Sequence, residues 1–168
     1  MFCIGDLVVY GNTGLCRVVS IGPSELAGAE RDRIYYGLEP YYSNKSIIFT
    51  PCDSAKVVLR AIISKEEADE LIEAIDSIET LIIEDEKLRE PTYKSIIRNC
   101  DCHEIMSIIK TIYKRKAARI AEGKKVTAND EKYFLIAEEK LYGELAVALN
   151  ITKDKVRELI NDRFRAMA

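Results

Sequence analysis

Phe2-Cys3-Ile4-Gly5-Asp6-Leu7-Val8-Val9-Tyr10, then Gly11-Asn12-Thr13-Gly14, then Leu15-Cys16-Arg17-Val18, reads as a strand, a tight turn and a second strand. The β-branched pairs Val8-Val9 and Val18-Val19 suit a pleated surface. The glycine-bounded stretch between them tolerates positive φ, which a tight connection needs. A carboxylate beside an apolar strand is costly unless it is paired, so Asp6 is expected to accept hydrogen bonds from backbone N–H groups near the strand start. A small barrel that begins this way is more often a recognition module than a catalyst.

Working outward, short apolar runs near 6–10, 15–21, 33–38, 46–50 and 56–60 alternate with turn signals at 11–14, 22–24, 40–45 and 51–53. Several short strands at this spacing predict a small, strongly bent sheet or barrel. A fragment of about 60 residues buries little apolar area and is expected to lean on a neighbour or partner. At Ser64 the period changes. Ser64-Lys65-Glu66-Glu67 has the form of a capping box. Apolar residues then recur at Ala68, Leu71, Ile72, Ile75, Ile78 and Leu81-Ile82, a helical stripe. The charged stretch 84–91 reads as a linker, with a short helix after Pro91. Asp101-Cys102-His103-Glu104 is a second box, heading a helix to about Ala121, where Glu122-Gly123 stops it. Thr127 and Thr152 cap two more helices. The expected fold class is α+β, with a small N-terminal β-barrel over residues 1–60 and an all-α helical domain over 61–168.

Composition narrows the function. The chain has 168 residues, 48% of them hydrophobic and 32% charged, an ordinary soluble balance. No apolar run approaches the roughly 20 residues of a membrane span. Nor does a basic stretch precede a long apolar segment at the start, so no signal peptide is expected and the protein reads as cytoplasmic, without a membrane partner. Five cysteines, an odd number, read as free thiols in a reducing compartment. The net charge of −3 conceals a split. Residues 64–90 hold 11 carboxylates against Lys65, Lys87 and Arg89. Residues 110–125 hold Lys110, Lys114, Arg115, Lys116, Arg119, Lys124 and Lys125 against Glu122 alone. Such a basic stretch is a candidate anion-binding face, and nucleic acid is its usual partner.

The residues that could carry catalysis do not assemble in the sequence. Cys100, Cys102 and His103 have metal-ligand chemistry, but structural zinc wants four ligands and wider spacing between paired cysteines, so no metal is expected. Adjacent Cys102 and His103 point apart on a helix and make a poor dyad. There is no glycine-rich phosphate loop or nucleophile elbow. No cofactor and no enzymatic activity are expected. On the basic helix, four-residue spacing aligns Lys110 with Lys114 and Arg115 with Arg119. Lys124 and Lys125 lead into the N-terminus of the Thr127 helix, where a phosphate is favoured. Contacts of this kind go to backbone phosphate and read no sequence. Tyr93-Lys94 after the Pro91 break admits two readings, a core aromatic or a groove contact. A solvated basic face that binds acidic protein, making the chain a protein–protein adaptor that does not touch DNA, is the alternative to a DNA-binding surface.

Two regions together resemble the CarD/CdnL family of bacterial RNA-polymerase-binding transcription regulators. The first is the GD-x-VVY…G…V pattern of residues 2–18. The second runs from Ile108-Ile109-Lys110-Thr111-Ile112-Tyr113 through Gly123-Lys124-Lys125-Val126-Thr127 to Leu141-Tyr142-Gly143-Glu144-Leu145-Ala146. The resemblance implies a Tudor-like N-terminal module that binds the RNA polymerase beta subunit. It also implies a helical domain that meets promoter double-stranded DNA, through backbone and minor-groove contacts, at the upstream edge of the bubble and stabilises the open complex. Transcription-repair coupling factor shares the module, but this chain is too short for that protein's motor. Relatives place a tryptophan at the bubble edge; this chain has none, and Tyr93-Lys94 stands in the similar context. Positions of polymerase-facing arginines in some relatives match Ser24 and Phe49. The resemblance therefore implies polymerase-binding residues Ser24, Leu26, Ile48 and Phe49. The DNA-binding set is Tyr93, Lys94, Lys114, Arg115, Arg119, Lys124 and Lys125.

Overall fold

The computed structural model describes residues 1–167 and divides into two units, Met1–Ile62 and Ile63–Ala168. In the first unit the strands are β1 (Leu7–Tyr10), β2 (Gly14–Pro23), β3 (Ile34–Pro40), β4 (Ile48–Pro51) and β5 (Leu59–Ala61). They form one antiparallel sheet in the order β4-β3-β2-β1-β5. Asp6 behaves as its chemistry requires, its Oδ2 accepting the Cys3 N–H at 2.8 Å. Val8 faces Cys16 across β1 and β2, and Val18 faces Leu38 across β2 and β3. These four and Tyr36 form the core, and both outer strands reach it, through Ile48 and Leu59. The sheet therefore curls around a single core, while β4 and β5 do not pair with each other. Val19 is one residue too many between Val18, opposite Leu38, and Ser20, opposite Gly37. A bulge of this kind bends and twists the strand, which helps the curl. Gly11 has φ +39°, and a Cβ there would stand 2.5 Å from Val57 Cγ1, so the turn after β1 needs glycine twice over.

The second unit is helical: α1 (Lys65–Glu73), α2 (Arg89–Asn99), α3 (Cys102–Ala121), α4 (Ala128–Leu149) and α5 (Lys153–Ala166). Ser64 and Glu67 make the reciprocal capping box at 3.1 and 2.7 Å. Asp101, Thr127 and Thr152 cap α3, α4 and α5 through the N–H groups of Glu104, Asp130 and Lys155. Two expectations are corrected. The stripe after Ser64 does not stay helical to Ile82: α1 ends at Glu73, one 3-10 turn spans Ala74–Ser77, and Ile78 is extended. Where the helix stops, the carbonyls of Ile75, Asp76 and Ile78 all accept from the Lys110 ammonium. In addition, α2 starts at Arg89, before Pro91. Proline is tolerated in a first turn, whose N–H groups have no helical acceptor. Leu71, Ile75, Ile108, Ile109, Ile112, Leu141, Leu145, Ile160 and Phe164 build one core with Tyr93 and Tyr133. Tyr113 of α3 stacks on Phe164 of α5 at 4.6 Å.

Candidate functional site

Much of the basic stretch on α3 is turned to the fold's own use. Lys110 is 3% exposed. Its Nζ donates to the carbonyl oxygens of Ile75 (2.8 Å), Asp76 (3.0 Å) and Ile78 (2.7 Å). Burial and the neighbouring Lys114 push its pKa down, against Asp76. One turn before it, Ser107 Oγ donates to the Glu79 carbonyl, and at the next position Thr111 Oγ1 accepts the Leu81 N–H. Ser107, Lys110 and Thr111 thus form a polar stripe that holds the extended segment after α1 onto α3, at the three- and four-residue spacing of one helix face. Lys116 Nζ lies 4.1 Å from the centre of the Phe134 ring, and Arg119 Nε donates to the Lys125 carbonyl at 2.7 Å, closing the α3–α4 turn.

Tyr93 is a core residue, 0% exposed, so the expectation that it touches a DNA groove is corrected. Its hydroxyl accepts from Arg89 Nη1 and donates to Asp130 Oδ1, both at 3.3 Å. Asp130, fully buried, also accepts from Arg115 Nε at 2.9 Å. Arg115 reaches Glu86 at 3.6 Å, and Glu86 pairs with Arg89 at 2.8 Å. Glu86, Arg89, Tyr93, Asp130 and Arg115 therefore close a ring that joins α2, α3 and α4. The Arg89 hydrogen bond lowers the Glu86 pKa and Glu86 raises that of Arg89; burial raises the Tyr93 phenol. Arg115, expected on the DNA face, thus has its charge answered by two carboxylates.

The cations that remain outside are lysines. Lys114 and Lys125 are exposed and have no carboxylate partner among the described residues, while Lys124 pairs with Glu122 at 3.0 Å on the surface. Lys94 of α2 and Lys132 of α4 meet at a shared carboxylate, Glu90, at 3.4 and 3.9 Å. Glu90 also accepts from the Tyr133 hydroxyl at 2.8 Å, which lowers the Glu90 pKa; burial, with Glu90 beside it, pushes the Tyr133 phenol up to about 12. Lys132 escaped the sequence reading, because only the packing of α2 against α4 brings it beside Lys94. Cys100 and Cys102 are buried, with the Cys102 thiol facing Glu144 at 3.5 Å, and His103 is exposed.

In the sheet unit, β4 is an outer strand paired only with β3. Its side chains alternate. Ile48 packs on the inner core, so the expectation that this side chain meets a partner is corrected: its outward contribution is main chain. Phe49 points the other way and is 38% exposed. Its partner across the ladder is Gly37, where a Cβ would overlap Ser20 Oγ and come within 3.4 Å of the Phe49 ring. The glycine lets the ring lie across the strand. Ser24 and Leu26 sit in the connection after β2, with Ser24 Oγ accepting the Leu26 N–H at 3.2 Å; Leu26 is 56% exposed.

Residues 2–63 match the family model of the CarD-like/TRCF RID domain. The N-terminal unit is a CarD-like RID domain. It is an RNA polymerase-interacting domain, and its open strand and bare aromatic fit that role: an exposed edge can accept a partner strand through main-chain bonds, while a side chain beside it sets specificity. Comparison of the chain with curated proteins gave no match. Among the described residues, no helix is long and apolar enough to cross a membrane.

Proposed function

We propose that the chain is a non-enzymatic transcription regulator. In this reading its RID domain holds the polymerase beta subunit along β4, with Phe49 as the anchor. Its helical unit offers exposed lysines to promoter DNA at the upstream edge of the bubble. The observation that carries the reading is the RID match over a sheet whose outer strand is open and bears Phe49. Lys94, Lys114, Lys124, Lys125 and Lys132 are the groups for phosphate, acting as point charges that position without reading sequence. With Tyr93 in the core, the reading needs no aromatic wedge. Tethering by the polymerase raises the local concentration of weak DNA contacts. These contacts lengthen the life of the open complex to the extent that they are stronger there than in the closed one.

The test is open-complex lifetime on one promoter, with and without the protein. Reversing Lys124 and Lys125 to Glu is expected to shorten the lifetime toward the protein-free value while polymerase binding is retained. An unchanged lifetime removes these lysines from the DNA surface. Phe49→Asp is expected to abolish polymerase pull-down in a folded variant. The helical unit carries more carboxylates than cations, and its arginines at 115 and 119 are engaged internally. These facts favour the second reading, an adaptor that does not touch DNA. Salt-dependent binding to generic duplex DNA separates the two, since only phosphate contacts release counterions.

A further inference from the structure

A cavity of about 520 Å3 opens on the RID domain where β3 runs into the 41–47 connection. Arg17, Glu39, Tyr41, Ser43, Asn44 and Lys45 line it. The Arg17 guanidinium lies 5.9 Å from the centre of the Tyr41 ring. Tyr41 and Tyr42 meet edge to face at 4.8 Å, and both residues are exposed. Arg17 and Glu39 are opposite each other on β2 and β3, yet neither Arg17 nor Lys45 forms an ion pair among the described residues. One concave site therefore combines two cations without an ion-pair partner, one carboxylate, two neutral polar side chains and the exposed Tyr41 ring.

We infer that this cavity receives an acidic segment of a protein partner, its carboxylate between Arg17 and Lys45 and an apolar neighbour on the Tyr41 ring. Tyrosine and arginine are among the residue types that most often anchor protein interfaces: the tyrosine ring presents a large contact area with few rotatable bonds, and the guanidinium can hold a carboxylate through two parallel hydrogen bonds. A single-stranded nucleic acid fits less well. It calls for a run of cations tracking several phosphates, whereas this domain has as many carboxylates as cations, and Glu39 stands in the cavity wall. The 41–47 connection that carries Ser43, Asn44 and Lys45 leads directly into β4. The identity of the partner, the polymerase, rests on the reading given above.

The experiment measures affinity of the full chain for core RNA polymerase at two salt concentrations. The Arg17→Gln, Lys45→Glu double variant is expected to bind about tenfold more weakly and with a flatter salt dependence. Tyr41→Ser should lose about fivefold, and Arg17→Lys, which keeps the charge, should lose less than Arg17→Gln. Arg17→Gln alone serves if the double variant does not fold. If the charge variants bind within about twofold of the parent while Phe49→Asp does not bind, the cavity assignment is overturned and the polymerase reading stands. If the parent itself does not bind polymerase, both fall. If the charge variants keep polymerase affinity but lose binding to a single-stranded oligonucleotide, the site belongs to nucleic acid and the inference is overturned.

Discussion

Replacing Lys110 by Met tests whether this lysine serves the fold or an anionic partner. Methionine keeps most of the apolar stem and removes the ammonium. Three carbonyls lose a charged donor at 2.7–3.0 Å. Each hydrogen bond to a charged group contributes about 1.5–3 kcal/mol, and a buried carbonyl left unpaired costs about 1–3 kcal/mol. The three bonds share one ammonium and do not add, and the removed charge also sheds its desolvation penalty. The expected net loss is therefore about 3–5 kcal/mol, against a total stability of about 5–15 kcal/mol. For a unit of this size each kcal/mol moves the melting temperature by about 4–8 °C, so a fall of at least about 12 °C is expected. Urea titration of the full chain gives the free energy, and duplex-DNA binding measured below the melting temperature gives the salt slope. Lys110→Met should leave that slope unchanged, whereas each lost phosphate contact at Lys124 or Lys125 should flatten it by about 0.9. A stability loss under about 1 kcal/mol, or a flattened salt slope in Lys110→Met, would refute the assignment of Lys110 to the fold.

Tyr93→Phe removes the hydroxyl between Arg89 and Asp130 and should cost about 1–3 kcal/mol by chemical denaturation while leaving DNA affinity intact; a selective loss of DNA binding would return Tyr93 to the interface. Burial raises the Glu138 pKa in the folded chain, with Arg157 and Lys116 opposing. The folded state therefore binds more protons than the unfolded one above the ordinary carboxylate range, and stability falls as pH rises through the raised value. Glu138→Gln should accordingly raise the melting temperature at pH 7 and have little effect near pH 4, as scanning calorimetry at the two values would read; a benefit that persists in acid would contradict the sign. Gly11→Ala combines positive φ with contact on Val57 and should destabilise the RID domain by about 1–3 kcal/mol, measured by hydrogen exchange of the strand amides.

The strands were legible because alternation and turn residues are local signals. All five expected runs correspond to observed strands, and the glycines bounding the first turn, Gly11 and Gly14, both have positive φ. The helix starts at Ser64, Asp101, Thr127 and Thr152 were legible for the same reason, since a cap and the N–H that donates to it lie within one turn. The fate of the cations was not. Arg115 finds Asp130 fifteen residues away on another helix, and Lys110 finds carbonyls more than thirty residues back. Neither distance leaves a periodic trace, so a basic run looks the same whether its charges face water or carbonyl oxygen. One clue was available: Lys110 sits between Ile109 and Thr111 in a run with Ile108 and Ile112, where a solvated lysine has little room on the helix surface. The likeness of Tyr93-Lys94 to a bubble-edge motif misled in a similar way. Neighbours on a helix point in different directions, and here Tyr93 turns inward while Lys94 turns out.

The ring of Glu86, Arg89, Tyr93, Asp130 and Arg115 has one further consequence. Two guanidinium groups and two carboxylates cancel, and only Glu86 stands mostly in water. Mobile ions screen exposed charges far more than buried pairs. Raising the ionic strength should therefore strip the outer lysines of their hold on an anionic partner while the internal circuit keeps the helices assembled. Contacts made through the outer lysines and foldedness become separately adjustable quantities: added salt is expected to weaken the first while the melting temperature of the helical unit holds.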